Sequence, residues 1–144
     1  MYTIPPHTTI GHVHLTVGNL ERALGFYRDI LGFEVMARYG QSAVFLGAGG
    51  YHHHIALNTW QGEGVSPAPR GHAGLYHAAI LYPTRAALAT ALERLIAAGY
   101  PITGAADHGV SEAIYLDDPD GNGIELYADR PRSEWKYAAD GSIA

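Results

Sequence analysis

The chain contains no cysteine. Disulfides, thiolate zinc sites and iron–sulfur clusters are therefore excluded. Charge is sparse as well: 16% of residues are charged, and the formal net charge is -5. That acidic balance argues against a nucleic-acid or anionic-membrane partner. No apolar run approaches the roughly 20 residues that a membrane-crossing helix needs. The opening residues Met1–Pro6 carry neither the basic nor the apolar region of a signal peptide, so the expected location is cytoplasmic. Methionine and tryptophan occur only twice each, whereas histidine occurs nine times. Histidine is the commonest metal ligand, so the spacing of these nine is the first place to seek a site. At 144 residues and 47% hydrophobic, the chain has the size and composition of one ordinary globular domain.

Segment 12–17, His-Val-His-Leu-Thr-Val, alternates polar and apolar as a half-buried strand does. His12, His14 and Thr16 then share one face. Asn19 is a good helix N-cap. The apolar positions Leu20, Ala23, Leu24, Tyr27, Ile30 and Leu31 come next at helical spacing, and Gly32 is placed to end that helix. Strands are expected over 33–38, 42–46 and 53–58. Residues 61–74 are rich in Gly, Pro, Ala and Ser and read as a linker. The same order then returns. A strand is expected over 76–81, then a helix capped by Thr84 with an apolar face of Leu88, Leu92, Leu95 and Ile96. Strands near 101–102, 113–116 and 123–127 complete it. His77 comes after His12, and Thr84 after Asn19, at the same interval of 65 residues (77 − 12 and 84 − 19). The expected fold is α+β: two tandem βαβββ modules, about 8–60 and 75–130, forming a curved, incomplete barrel around a metal cavity, with a tail over 131–144.

A lone histidine on a strand is more often a satisfied polar side chain than a ligand. Here two histidines open the two halves at matched positions. Glu125 lies in the closing strand between apolar Ile124 and Leu126, and a buried carboxylate needs a compensating partner. Two imidazoles and one carboxylate are the facial triad favoured by non-haem Fe(II), and Mn(II) accepts the same set. His12, His77 and Glu125 are therefore the candidate metal ligands. The repeat partner of Glu125 is Ala56, whose methyl group cannot coordinate, so these positions supply no fourth ligand.

These residues carry a resemblance. The run from Gly11 to Val17, then Asn19-Leu20-Glu21-Arg22-Ala23, Phe26-Tyr27 and Leu31-Gly32-Phe33, resembles the opening of vicinal oxygen chelate modules. That family includes glyoxalase I, fosfomycin and bleomycin resistance proteins, and extradiol ring-cleavage dioxygenases. His108, Ile114-Tyr115, Asp118-Pro119-Asp120-Gly121 and Glu125 resemble the extradiol dioxygenase signature, and His52-His53-His54-Ile55 with Asn58-Thr59-Trp60 resembles the catechol 2,3-dioxygenase-like branch. The resemblance implies Fe(II) or Mn(II) at the triad, and a catechol-like diol with O2 as substrates in aromatic catabolism. It also implies His54 as acid–base group, Tyr115 as a substrate contact, His108 at the cavity mouth, and a homodimer. Strand alternation places His54 on the Ala56 face and turns His53 away. In such modules all ligands come from one chain, or His12 of one chain meets His77 and Glu125 of another. Two other activities use the same scaffold: a metal-dependent lyase or isomerase, and a non-catalytic small-molecule-binding protein.

Overall fold

The computed structural model describes residues Met1–Ala144. The first module runs β1 (Val13–Thr16), α1 (Leu20–Leu24), β2 (Glu34–Tyr39), β3 (Ala43–Gly47) and β4 (Ile55–Asn58). The second runs β5 (Ala78–Leu81), α2 (Arg85–Ala97), β6 (Gly104–Asp107), β7 (Ser111–Asp117) and β8 (Gly123–Asp129). Each forms its own four-stranded sheet, ordered β1-β4-β3-β2 and β5-β8-β7-β6. In both, the first strand lies parallel to the last and the remaining pairs are antiparallel. The α+β class and the tandem order agree with expectation. The two sheets share no ladder and are not closed into a barrel.

Both helices begin where their caps predict. The Asn19 side chain accepts the Arg22 N–H at 2.8 Å, and Thr84 Oγ1 accepts the Ala87 N–H at 3.1 Å. The first helix then departs from a regular spiral. Residues Gly25–Ile30 form a π-helical turn, with the Leu31 N–H donating to the Phe26 carbonyl at 2.9 Å. Gly32, at φ 88°, ends it in a conformation that favours glycine. On α2 the buried stripe is Leu88, Ala91 and Leu95, and Ile96 is exposed. The expected face is thus turned too far: the i, i+3, i+7 stripe is centred on Ala91, and Ile96 falls outside it. The strand expected at 101–102 forms instead at Gly104–Asp107, since Pro101 has no N–H to give a ladder.

One core of nineteen buried residues draws on both modules. Ile124, Leu126 and Ala128 of β8 point into it, and Leu15, Val44, Leu46, Ile55 and Leu57 do so from the first sheet. The alternate residues form the opposite, open faces. Arg94 of α2 reaches across to the end of the first helix, donating to the Ile30 and Asp29 carbonyls at 2.7 and 2.8 Å.

A second crossing is buried. The turn after β7 carries Asp118 and Asp120, which are 4% and 6% exposed. Asp118 accepts the Tyr27 hydroxyl at 2.7 Å, the N–H groups of Asp120 and Asn122 at 2.8 and 2.9 Å, and the Asn122 side-chain amide at 2.9 Å. Asp120 Oδ1 accepts the Gly18 N–H at 2.8 Å and Arg22 Nη2 at 2.5 Å. Three groups of the first module thus bind one turn of the second. A side chain at Gly18 would press on the Val65 carbonyl at 3.0 Å and on Asp120 at 3.2 Å.

Burial, and then the facing Asp118 carboxylate, push the Tyr27 phenol far above its usual value. The unfolded chain releases this proton near pH 10 while the folded chain keeps it, so its contribution to stability is complete below pH 10 and falls as pH rises above it. Tyr27→Phe should therefore weaken the dependence of stability on pH above 10. It should also destabilise the protein by about 1–3 kcal/mol at neutral pH, because Asp118 loses a donor it cannot replace with water. Urea unfolding at pH 7 and across pH 9–11 measures both effects.

Candidate metal centre

The second module's open face holds most of the predicted site. In the ladder Tyr115 lies opposite Glu125, and Ala79 pairs with Glu125 from the other side. His77 immediately precedes β5, two residues before Ala79, and so shares that face. His77 Nε2 lies 2.9 Å from Glu125 Oε2. The Tyr115 hydroxyl donates to Glu125 Oε1 at 3.4 Å and lies 2.6 Å from His108 Nε2. Four predicted residues therefore form one line, from exposed His108 through Tyr115 and Glu125 to His77. Burial, then the neighbouring Glu125 carboxylate, raises the Tyr115 phenol above its ordinary value. It remains a hydrogen-bond donor at neutral pH.

The donor chemistry suits a divalent ion. Ligand atoms each about 2.1 Å from one octahedral ion, at right angles, lie about 3 Å apart. The His77–Glu125 separation matches that spacing, so the pair can occupy two neighbouring positions of such an ion. His77 Nδ1 is buried and finds no partner within the chain.

Glycine makes this pairing possible. A Cβ at Gly123 would overlap the Tyr76 carbonyl and approach His77 Cβ to 3.2 Å. The segment entering β5 can lie against β8 only because position 123 has no side chain.

His12 is elsewhere. It occupies the corresponding position before β1, on the first module's open face, with its ring 4.3 Å from that of His53. It does not join His77 and Glu125 as a three-residue metal-binding group within the chain. Of the two arrangements open to the ligand set, a single chain does not bring His12 to His77 and Glu125, because the sheets that carry them share no ladder.

The histidine run also departs from expectation. His53 faces His12 and lies 5.2 Å from Phe45, ring to ring. His54 turns the other way. Its ring lies 4.6 Å from Tyr51 and 6.4 Å from Phe33, and its Nδ1 accepts the Ala48 N–H at 3.3 Å. Alternation fails because β4 starts only at Ile55, and a bend at His54 breaks the pleat before it. Desolvation, and then the adjacent histidines led by His12, lower the His53 imidazole below its usual value. Two further features of this face are marked in the sequence only by the branch resemblance, which gives them no role. Asn58 braces His14, and Trp60 lies beside it. Asn58 lies in the Asn58-Thr59-Trp60 motif, but nothing local in that motif shows that its amide braces His14.

A groove of about 390 Å³ lies away from this chemistry, between α2 and the outer strands of the second sheet, with Leu88, Leu92 and Ile114 in its lining. No helix is long and apolar enough to cross a membrane.

Residues 9–126 match the model of the Glyoxalase/Bleomycin resistance protein/Dioxygenase superfamily. The chain is 47% identical to a catechol-2,3-dioxygenase of Bacillus subtilis over 142 residues, covering 99% of this chain and 49% of that protein. It is 32% identical over 128 residues to biphenyl-2,3-diol 1,2-dioxygenase 3 of Rhodococcus globerulus, covering 88% of this chain and 65% of that protein. It therefore spans about half the length of the first relative and less than two thirds of the second. A solved glyoxalase/dioxygenase from Nostoc punctiforme, at 18% identity, shares the fold with a TM-score of 0.71, covering 91% of this chain and 99% of that one.

Gly123→Ala should push His77 away from Glu125. Titration with Mn(II) or Fe(II) is expected to give at least about tenfold weaker binding, comparable to loss of a group that orients a ligand. Unchanged affinity would show that the close approach at Gly123 does not set the pair.

Proposed function

The chain belongs to the Glyoxalase/Bleomycin resistance protein/Dioxygenase superfamily, and on that premise we propose that it acts as a metal-dependent extradiol ring-cleavage dioxygenase on a catechol-like diol with O2. The observation that carries this reading is the line His108–Tyr115–Glu125–His77 on one open face. His77 and Glu125 would hold Fe(II) or Mn(II), with His12 as third ligand. Bound there, such an ion supplies open positions for two vicinal oxygens and for O2, and favours ionisation of the diol.

The chain's own groups have separate tasks. Tyr115, a neutral phenol, offers its proton to an oxygen beside Glu125. His108 stands between Tyr115 and solvent, 2.6 Å from the phenol oxygen; with the phenol proton directed at Glu125, His108 Nε2–H donates to that oxygen and can resupply a proton from solvent. Of the histidine run, His53 shares the His12 face and is the acid–base candidate on geometry; His54 faces Phe33 and Tyr51. His53→Ala should lower turnover more than His54→Ala does, with metal content retained in both. The reverse order in oxygen-uptake assays would return the role to His54. Ala56 keeps a fourth protein ligand away, which suits an open site better than a lyase site closed by a second carboxylate.

We also propose that a second copy of the chain completes the centre. β1 pairs only with β4, and β5 only with β8, so each has one free edge next to its histidine. Setting β1 of one copy beside β5 of another brings His12 toward His77 and Glu125. Glu125→Ala alone should lose the metal, and retained stoichiometric metal would argue against the ligand set. His12→Ala and Glu125→Ala proteins, each inactive alone, should recover activity on co-expression, since one intact site forms in the mixed dimer. No recovery, with mixed dimers present, would favour ligands drawn from one chain.

A further inference from the structure

The first module's open face carries a polar arrangement to which the proposed chemistry assigns no task. The Trp60 backbone N–H donates to Asn58 Oδ1 at 3.0 Å. This fixes the Asn58 side chain, which is 6% exposed, so that its NH2 group points at His14 Nε2, 3.0 Å away. An amide nitrogen has no lone pair to accept with, so His14 Nε2 must be the acceptor. The proton of neutral His14 then resides on Nδ1. The tautomer is thus set by a backbone N–H two residues beyond the asparagine. His14 is exposed, and its Nδ1–H has no partner within the chain.

The surroundings are flat and uncharged. The Trp60 ring lies edge-on to His14 at 5.1 Å and is itself held by Nε1–H donating to Ser42 Oγ at 3.2 Å. The Phe45 ring also lies edge-on to it, at 6.2 Å. His14 lies two positions after His12, a step of about 6.6 Å along one face, on the scale of one aromatic ring with a substituent.

Resting on the dioxygenase reading above, we infer that His14 is a specificity-determining residue: its Nδ1–H binds an uncharged oxygen acceptor, a carbonyl or alkoxy group, carried on the ring of the diol. An acceptor is selected because the fixed tautomer offers only a donor. An uncharged one is selected because Asn58, Trp60 and Phe45 add no cation at His14, while the ion held through His12 is already balanced by the diol and Glu125. Asn58 is a positioning residue that acts through His14.

The test uses the full chain loaded with Mn(II), titrated anaerobically with two catechols of nearly equal shape, 4-acetylcatechol and 4-isopropylcatechol. The wild type should bind the acetyl compound about fivefold more tightly, the ratio expected of one hydrogen bond. His14→Phe should lose that factor of about five, keeping only what the greater acidity of the acetyl-substituted diol supplies. Two-bond 1H–15N correlation spectra should show the Nδ1–H tautomer of His14 in the wild type, and Asn58→Ala should shift it toward the Nε2–H form, a change that loss of packing alone would not produce. Equal binding of the two catechols by the wild type, a preference unchanged in His14→Phe, or an Nε2–H tautomer in the wild type would each overturn the assignment of His14. If the loaded protein binds neither catechol, the dioxygenase reading itself falls, and the assignment falls with it.

Discussion

The Asp118–Asp120 turn couples the two modules through buried polar contacts, whereas the Arg94 bonds between them are exposed. Two carboxylates are withdrawn from water there, which is unfavourable unless nearly every lone pair finds a donor. Asp118 meets this with four donors, one of them the Tyr27 hydroxyl of the other module. Asp120 meets it with the Gly18 N–H and Arg22. One oxygen of Asp120 remains buried without a partner, so the compensation is incomplete. Because Arg22 is half exposed, the backbone N–H of Gly18 is the better-shielded donor to Asp120. The turn lies immediately before β8, so the strand that carries Glu125 starts from a point anchored on the first module.

From that anchor the molecule presents two unlike half-sites on a repeated frame. The second module's open face has a carboxylate, a phenol and two imidazoles in hydrogen-bonded sequence. The corresponding face of the first has histidines and aromatic rings but no carboxylate, since Ala56 stands where the repeat has Glu125. A duplication with such divergence separates tasks. One face binds and holds charge, and the other shapes what lies against it. The free edges of β1 and β5 stand beside His12 and His77, so under the proposed ligand set assembly and site completion are one geometric problem.

Much of this is legible in residue order. Asn19 and Thr84 mark both helix starts because an oxygen at the cap satisfies an otherwise orphaned N–H, a purely local effect. The alternation in 12–17 locates β1 and its polar face, again from neighbouring residues alone. Errors arise where local rules meet a break or a register. A bend at His54 exchanges the faces of His53 and His54. Pro101 displaces a strand. Ile96 loses its expected place in the core to Ala91, because the partner surface selects the buried stripe.

The sequence by itself determined the duplicated βαβββ order, the metal-type residues and the pairing of His77 with Glu125 on one face, since strand parity stems from the two-residue period of the backbone. Only the tertiary structure decided the Asp118–Tyr27 and Asp120–Gly18 links between modules, the brace from Trp60 through Asn58 to His14, and the separation of His12 from His77 and Glu125. Each of those depends on how elements distant along the chain pack together. No local pattern records that, because the contacts form between residues whose separation is set by the whole fold.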